Sequence, residues 1–144
     1  MDRSAVGSLY EQYKNGIYRY ALSILKNSQL AEDVLQDTFI KLLSGKHPWE
    51  EQAWLYRVAR NLCYDHLRRA KREMPQEQLP VQQDGQYAYI DLIAALSPKE
   101  QEIITLKIVG GLSHKDIGAV LGISPKAAQK RYERAIATLR EMEE

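Results

Sequence analysis

Apolar residues recur every three to four positions along most of the chain, which is the spacing of amphipathic helices. The first series of apolar residues predicts one helix, or two helices if Asn15-Gly16 interrupts it. Ser28 is the expected N-cap of a second helix, and a third long helix is predicted from about Glu51 to Arg72. The first stripe consists of Leu9, Tyr13, Ile17, Tyr20 and Ile24, and the second of Ala31, Leu35, Phe39 and Leu42. No segment has the alternation of a strand, so the predicted fold class is all-α.

The segment from residue 74 to 86, MPQEQLPVQQDGQ, interrupts the helical pattern. It holds two prolines, one glycine and five glutamines with little apolar content, a composition typical of a flexible linker. The segment divides the chain into two small helical domains, residues 1–73 and 87–144. Each of these domains should have its own modest core.

Start and stop signals are clearest in the second domain. After a short apolar helix from Tyr87 to Leu96, the run Ser97-Pro98-Lys99-Glu100 supplies an N-cap, a proline at the first helical position and a glutamate at the third. Gly110-Gly111 is expected to end that helix. Ser113 should begin the next helix, which Gly122 ends, and Ser124-Pro125 should begin the last one.

The residues from about Leu112 to Leu139 have the spacing of a helix-turn-helix. Two helices that cross steeply need a small residue where they touch and a glycine in the turn, and Gly118 and Gly122 meet these needs. Apolar residues fall on the inner faces. The outer face of the last helix carries the groups that would approach base edges: Lys126, Gln129, Lys130, Arg131 and Arg134. At the start of the preceding helix, which holds Ser113, His114 and Lys115, backbone N–H groups and the lysine could hold a phosphate.

The net charge of +1 hides two basic segments. Residues 57–72 hold six cations and one anion, and residues 124–140 hold five cations and one anion. Two basic helices in a nearly neutral chain indicate two contacts with a polyanion. The alternative, that these faces are merely solvated, would be an even choice for one patch but is less favoured for two.

One face of the third helix combines cations, an amide and aromatic rings, and it is expected to be exposed. Such groups neutralise phosphates and stack on unpaired bases, which hints at contact with opened, single-stranded DNA. The face consists of Trp54, Arg57, Asn61, Tyr64 and Arg68. The outward side of the second helix is instead acidic, with Glu32, Asp33 and Asp37 beside Gln36. Physics alone favours a solubilising role for that acidic face over a basic partner surface.

Four segments cover most of the chain outside the linker: LYEQYKNGIYRYALSILKN, AEDVLQDTFIKLL, WLYRVARNLCYDHLRR and LSPKEQEIITLKIVGGLSHKDIGAVLGIS. In this order they resemble the successive blocks of the extracytoplasmic-function (group IV) sigma factors of the sigma-70 superfamily. The resemblance implies a protein that binds core RNA polymerase, directs it to specific promoters and helps to melt the DNA. Residues 1–73 would be sigma region 2, which binds the polymerase clamp helices and the minus-ten element. Residues 87–144 would be region 4, which reads the minus-thirty-five element and touches the polymerase flap.

The resemblance also assigns roles to individual residues. Asp33, Gln36 and Asp37 would face the clamp, which reverses the solubilising interpretation. The minus-ten strand would contact Asn61, with support from Arg57, Tyr64, Arg68 and Arg69. The loop from residue 44 to 51 would capture a flipped-out base, with Trp49 nearby. In the last helix Arg131 and Arg134 match the family pattern. An unusual minus-thirty-five sequence is expected because four residues depart from that pattern: Lys126, Ala127, Gln129 and Lys130.

Two other classes of function fit the sequence less well. An enzyme is disfavoured because the three histidines form no ligand pair, Gly110-Gly111 is not a phosphate-binding loop, and Cys63 flanks an apolar face. We therefore expect no catalytic residue, metal or cofactor. A free-standing helix-turn-helix regulator would usually dimerise, and the sequence has no heptad seam.

The expected partners are core RNA polymerase, promoter DNA and an anti-sigma factor, with no homo-oligomer required. The absence of a signal peptide or an apolar run of membrane-spanning length, together with a single cysteine, predicts a cytoplasmic protein.

Overall fold

The computed structural model describes residues 3–45, 51–73 and 88–143. Within these ranges no strand occurs, which confirms the all-α prediction. The residues predicted as a linker, 74–86, lie outside the described ranges. The helices are α1 (Arg3–Leu25), α2 (Ser28–Ser44), α3 (Glu51–Glu73), α4 (Ala88–Ile93), α5 (Pro98–Ile104) with a π-helical turn (Thr105–Val109) directly after it, α6 (His114–Leu121) and α7 (Pro125–Glu143).

Helix α1 is a single helix that runs through Asn15-Gly16 without a break. The glycine is needed for packing, because a Cβ atom at Gly16 would lie 2.2 Å from the hydroxyl oxygen of Tyr56 on α3. The start of α2 differs from the prediction. Its N-cap is Asn27, whose side chain accepts a hydrogen bond from the backbone N–H of Leu30 at 2.9 Å, and Ser28 is already helical.

The predicted helix-turn-helix is confirmed by its caps and by its closest contact. The Ser113 hydroxyl accepts from the backbone N–H of Asp116, and Gly122 ends α6 with a φ of 74°, a left-handed conformation that favours glycine. Ser124 then caps α7. A Cβ atom at Gly118 would lie 2.5 Å from the carbonyl oxygen of Ile123, so the turn passes directly against α6.

The helix that starts at Ser97 ends differently from a simple α-helix. Its predicted capping box is present, with reciprocal hydrogen bonds between Ser97 and Glu100. The helix then widens into the π-helical turn, where the N–H of Gly110 donates to the carbonyl of Thr105 at 2.9 Å. Gly110 does end the helix, as predicted, but it does so after this wider turn.

The cores of the two halves of the chain are in contact with each other. Their buried apolar side chains form one continuous cluster, because α1 packs against α5 and the π-helical turn, and α3 packs against α6. The largest fully buried side chains come from both halves: Tyr20, Tyr56, Ile17, Leu22, Leu42, Leu55, Ile93, Ile103, Ile104, Leu106, Leu112 and Ile117. The two domains therefore share a buried apolar contact in addition to the packing within each of them.

We expect Gly118→Ala to lower the free energy of unfolding by about 1–3 kcal/mol, because the added methyl group meets backbone that cannot easily move. The matched control is Gly7→Ala, an exposed position in α1 where a Cβ atom meets nothing within 4 Å. That control should be roughly 0.5–1 kcal/mol more stable than the parent. Urea unfolding measures both, and a Gly118→Ala protein as stable as the parent would contradict the close helix contact.

Candidate nucleic-acid interface

Helix α7 has the predicted division into a buried face and an exposed basic face. Ala128 and Ala135 are fully buried against α5 and α6. On the other side Lys126, Gln129, Lys130 and Arg134 are exposed and Arg131 is half-buried. The first turns of α7 thus carry side chains that can donate hydrogen bonds. A helix of this kind fits into the major groove of DNA.

The two residues predicted to hold a phosphate at the start of α6 differ in what they offer. The Lys115 side chain is exposed. The Ser113 hydroxyl is already used as the N-cap acceptor for the N–H of Asp116, at 3.1 Å. A phosphate contact here would therefore depend on backbone N–H groups and on Lys115.

The face of α3 that was expected to be exposed is only partly so. Asn61, Arg68 and Arg69 are exposed, and Arg68 pairs with Asp65 on the same helix. Trp54, Arg57 and Tyr64 are half-buried, so the expectation of an exposed face is wrong for these three residues. The reason is that the second half of the chain packs along this side of α3.

Arg57 and Tyr64 bond directly to the second half of the chain. The Arg57 guanidinium donates from Nη1 to the carbonyl oxygen of Val120 at 2.6 Å, close to the C-terminal end of α6. The Tyr64 hydroxyl donates to Oε2 of Glu102 at 2.8 Å. Gln52, five residues before Arg57, donates from Nε2 to the carbonyl oxygen of Gly110 at 2.9 Å.

Glu102 on α5 is the centre of a buried polar cluster. Glu102 is buried, with 5% of its surface exposed. Its Oε1 atom accepts from the Tyr20 hydroxyl at 2.7 Å and from Nε of Arg60 at 2.6 Å, while Oε2 accepts from Tyr64. The guanidinium of Arg60 also lies over the Tyr64 ring, 4.7 Å from its centroid. The carboxylate is therefore paired with a cation and hydrogen-bonded through both oxygens.

Burial and the charge of Glu102 shift the pKa values in this cluster. Burial first, and then the carboxylate, raise the pKa of Tyr20 well above its ordinary value and that of Tyr64 to about 12. Burial tends to lower the pKa of Arg60, but the hydrogen bond and charge of Glu102 outweigh it and raise that pKa. At neutral pH the tyrosines therefore stay protonated donors and Arg60 stays charged. Burial also raises the pKa of the Cys63 thiol to about 12, in keeping with the packed role expected for it.

Sequence reasoning missed the Glu102 cluster as a unit. In the sequence, Arg60 is only one of several cations on α3, and Glu102 is only one of several polar residues in a capped helix. The partners of Glu102 lie 42 and 82 positions away in Arg60 and Tyr20. No local spacing connects residues at such distances, so the cluster needed the tertiary structure to be found.

The acidic side of α2 faces outward, as predicted. Asp33, Gln36 and Asp37 are exposed, and Gln36 donates from Nε2 to Oε1 of Glu32 at 3.1 Å. An apolar groove of about 440 Å³ lies beside them, between α1 and α2. The groove is lined in part by Val6, Tyr10, Phe39, Ile40 and Leu43, of which Ile40 is 57% and Leu43 49% exposed. Sequence reasoning missed this groove, although Ile40 and Leu43 are apolar residues that fall off the buried stripe of α2.

The remaining predictions concern the loop near Trp49, metal binding and membrane insertion. Trp49 and most of the loop from residue 44 to 51 lie outside the described residues. In the ranges that the structure describes, no group of histidine, cysteine and carboxylate side chains could hold a metal ion. None of the helices there is both long and apolar enough to cross a membrane.

Comparison with known proteins identifies the family. The family model of sigma-70 region 2 matches residues 9–73, and that of sigma-70 region 4 matches residues 87–139. The RNA polymerase sigma factor CarQ of Myxococcus xanthus is 30% identical, across 97% of this chain and 90% of its own length. The ECF RNA polymerase sigma factor SigM of Bacillus subtilis is 27% identical across 83% of each chain. The chain belongs to the sigma-70 family, in its extracytoplasmic-function (ECF) class.

Relatives of this ECF sigma factor differ in length. It matches the ECF sigma factor BldN of Streptomyces coelicolor at 28% identity over 96% of its own residues but only 60% of BldN. Two solved structures share the fold over nearly the whole chain. CnrH in complex with the cytosolic domain of CnrY has a TM-score of 0.75 at 27% identity, covering 98% of this chain and 88% of CnrH. RpoE of Bartonella quintana, in complex with the anti-sigma factor NepR, has a TM-score of 0.70 at 25% identity, covering 93% and 95%.

Proposed function

We propose that this ECF sigma factor, a member of group IV, binds core RNA polymerase, directs it to specific promoters and helps to melt the DNA. The observation that carries the proposal is a single chain with two different kinds of surface. One is the helix-turn-helix with the exposed basic face of α7, and the other is the acidic side of α2 next to an apolar groove. The first suits DNA and the second suits a protein partner.

The contact with core polymerase is assigned to α2. Asp33, Gln36 and Asp37 would face the clamp helices, and their charges favour a basic partner. Ile40 and Leu43 extend this surface, since exposed apolar side chains next to a polar rim are typical of protein interfaces. The acidic residues would give orientation and association rate, while the apolar groove would supply buried area.

The first domain, residues 1–73, is assigned to the minus-ten element. Asn61, Arg68 and Arg69 are exposed on α3 and suit contact with an unpaired strand. Arg57 and Tyr64 would join them once the second half of the chain no longer covers them. Trp49 would lie near the flipped-out base.

The second domain, residues 87–144, is assigned to the minus-thirty-five element and the polymerase flap. Its base contacts would come from the exposed face of α7, and Lys115 would position the helix on the phosphate backbone. Residues 74–86 would join the two domains. Polymerase, and not a second copy of this chain, would then set the distance between the two promoter contacts.

A protein inhibitor is the further partner that we propose, with the chain acting in the cytoplasm. RpoE of Bartonella quintana was solved with an anti-sigma factor, and CnrH with the cytosolic domain of CnrY. An anti-sigma factor for this chain would cover the same two surfaces that polymerase and promoter DNA need. The chemistry of RNA synthesis would belong to polymerase, with no catalytic residue supplied by the sigma factor.

The alternative is a free-standing helix-turn-helix regulator, and transcription separates it from a sigma factor. We expect run-off transcription with purified core polymerase and a promoter library to yield defined start sites only when this chain is added. A regulator would instead bind duplex DNA tightly by itself and produce no promoter-specific initiation with core enzyme. That pair of results would reject the proposed function.

We expect Asp33→Arg plus Asp37→Arg to abolish core polymerase binding, a loss of at least about 100-fold, because like charges would meet across the interface. A pull-down with core polymerase measures the loss, and circular dichroism checks that the helices remain. The matched control is Asp91→Arg plus Glu141→Arg, which reverses two exposed acids on the second domain. Equal binding by the α2 variant and this control would refute the assignment of α2.

We expect Lys130→Ala to weaken use of the minus-thirty-five element, at a cost of about 1–3 kcal/mol for a lost base contact. The measurement compares transcription from selected promoters with and without that element. Arg140→Ala is the control, since it removes an exposed cation from the far end of α7. If Lys130→Ala reduced transcription equally from both kinds of promoter, its proposed role in reading that element would be wrong.

A further inference from the structure

The carboxylate of Glu102 joins the two domains of this sigma factor through a buried ionic contact. Glu102 comes from α5 in the second domain, while Tyr20, Arg60 and Tyr64 come from α1 and α3 in the first. Donor-to-acceptor distances of 2.6–2.8 Å are short, as expected for hydrogen bonds to a charged group. One residue of the second domain thus satisfies a cation and two hydroxyls of the first.

The three donors of the first domain make a site for an anion. They combine a guanidinium with two hydroxyl groups whose protons are held at neutral pH, and they converge on the two oxygens of one small charged group. A phosphate of a DNA strand offers the same features, namely negative charge and oxygens that accept several hydrogen bonds. Arg60 and Tyr64 also lie on the same helix as Asn61, which the proposed function assigns to the minus-ten strand.

A second contact repeats this pattern one turn earlier on α3. The Arg57 guanidinium meets the carbonyl of Val120 near the C-terminal end of α6, where the helix dipole is negative. Two cations of the basic helix are therefore satisfied by negative groups of the second domain. Both would need a new anionic partner, or water, if the domains came apart.

We propose that Tyr20, Arg60 and Tyr64 form a phosphate site for single-stranded DNA, and that Glu102 occupies this site when the two domains are closed. In the sigma factor on its own, part of the DNA-binding surface would then be covered until the domains separate. The proposal rests on the proposed function for the identity of the ligand as promoter DNA. The closed contact itself rests on the hydrogen bonds around Glu102.

Removing the Glu102 carboxylate should favour the open arrangement. In the closed chain Glu102→Ala leaves Arg60 partly buried without its counter-charge, whereas in the open chain water can hydrate Arg60. The ratio of open to closed chains should therefore rise by at least about tenfold. Arg60→Met should open the chain as well, because it removes the other half of the same pair, but it also removes the cation of the proposed phosphate site.

The experiment uses the full chain in a Cys63→Ala background, with donor and acceptor dyes at Ser8→Cys and Ala137→Cys, both exposed positions on different domains. Energy transfer reports domain separation, and fluorescence anisotropy of a labelled single-stranded oligonucleotide reports DNA binding. We expect Glu102→Ala to lower energy transfer and to tighten oligonucleotide binding. Arg60→Met should lower energy transfer with a smaller gain in binding, and Glu141→Ala, an exposed control, should change neither.

Unchanged energy transfer in Glu102→Ala would overturn the closing role of Glu102. Lowered transfer without tighter binding, or an equal gain for Arg60→Met, would overturn the phosphate site. These results are independent of polymerase, so a failure here leaves the run-off assay unaffected. A chain that failed to support transcription would likewise leave the domain-distance result intact.

Discussion

Most of the architecture depends on the burial of α3 on two sides. Leu55, Tyr56, Ala59 and Cys63 are almost completely buried, and the helix packs against α1 and α2 in one direction and α6 in the other. The same helix carries the basic and aromatic groups assigned to DNA. Because one helix serves as core element, domain contact and candidate ligand surface, any movement of the second domain changes what α3 exposes.

The contact between the domains is both apolar and polar, and these parts have different consequences. The apolar part is non-directional, and it favours closure wherever enough surface is covered. The polar part around Glu102 requires a particular alignment, because a buried carboxylate is costly unless its cation and hydroxyl partners are all in place. The apolar surface therefore gives the tendency to close, and Glu102 specifies how the two domains meet.

Local features of this chain could be predicted from its sequence, whereas contacts between distant segments could not. The capping box at Ser97, the left-handed Gly122 and the tight approach at Gly118 follow from rules that act within a few residues. The N-cap of α2 was misplaced by one residue because Asn27 and Ser28 are both good caps and only the backbone dihedral angles decide between them. The predicted division of α7 into inner and outer faces was confirmed for the same local reason.

The partly wrong prediction for α3 has a different physical origin. Helical periodicity showed which residues share a face, but not that a second domain would cover that face. Tyr64 and Arg57 combine polar groups with long apolar or aromatic bodies, so both are compatible with water and with a buried interface. The groove beside Ile40 could not be predicted for a related reason. The sequence shows that Ile40 is apolar and off the buried stripe, but not which apolar residues of α1 lie next to it.

The π-helical turn at Thr105–Val109 sets the direction in which the helix-turn-helix points. It fits one more residue into the turn than an α-helix would, and such turns behave as single-residue insertions in a regular helix. In an α-helix each residue adds about 100° of rotation. Shortening this turn by one residue would rotate Gly110 and the helix-turn-helix that follows it. The carbonyl oxygen of Gly110 would then move away from the Gln52 side chain that donates to it. The orientation of the helix-turn-helix relative to Glu102 therefore depends on this wider turn as well as on the packing of the helices.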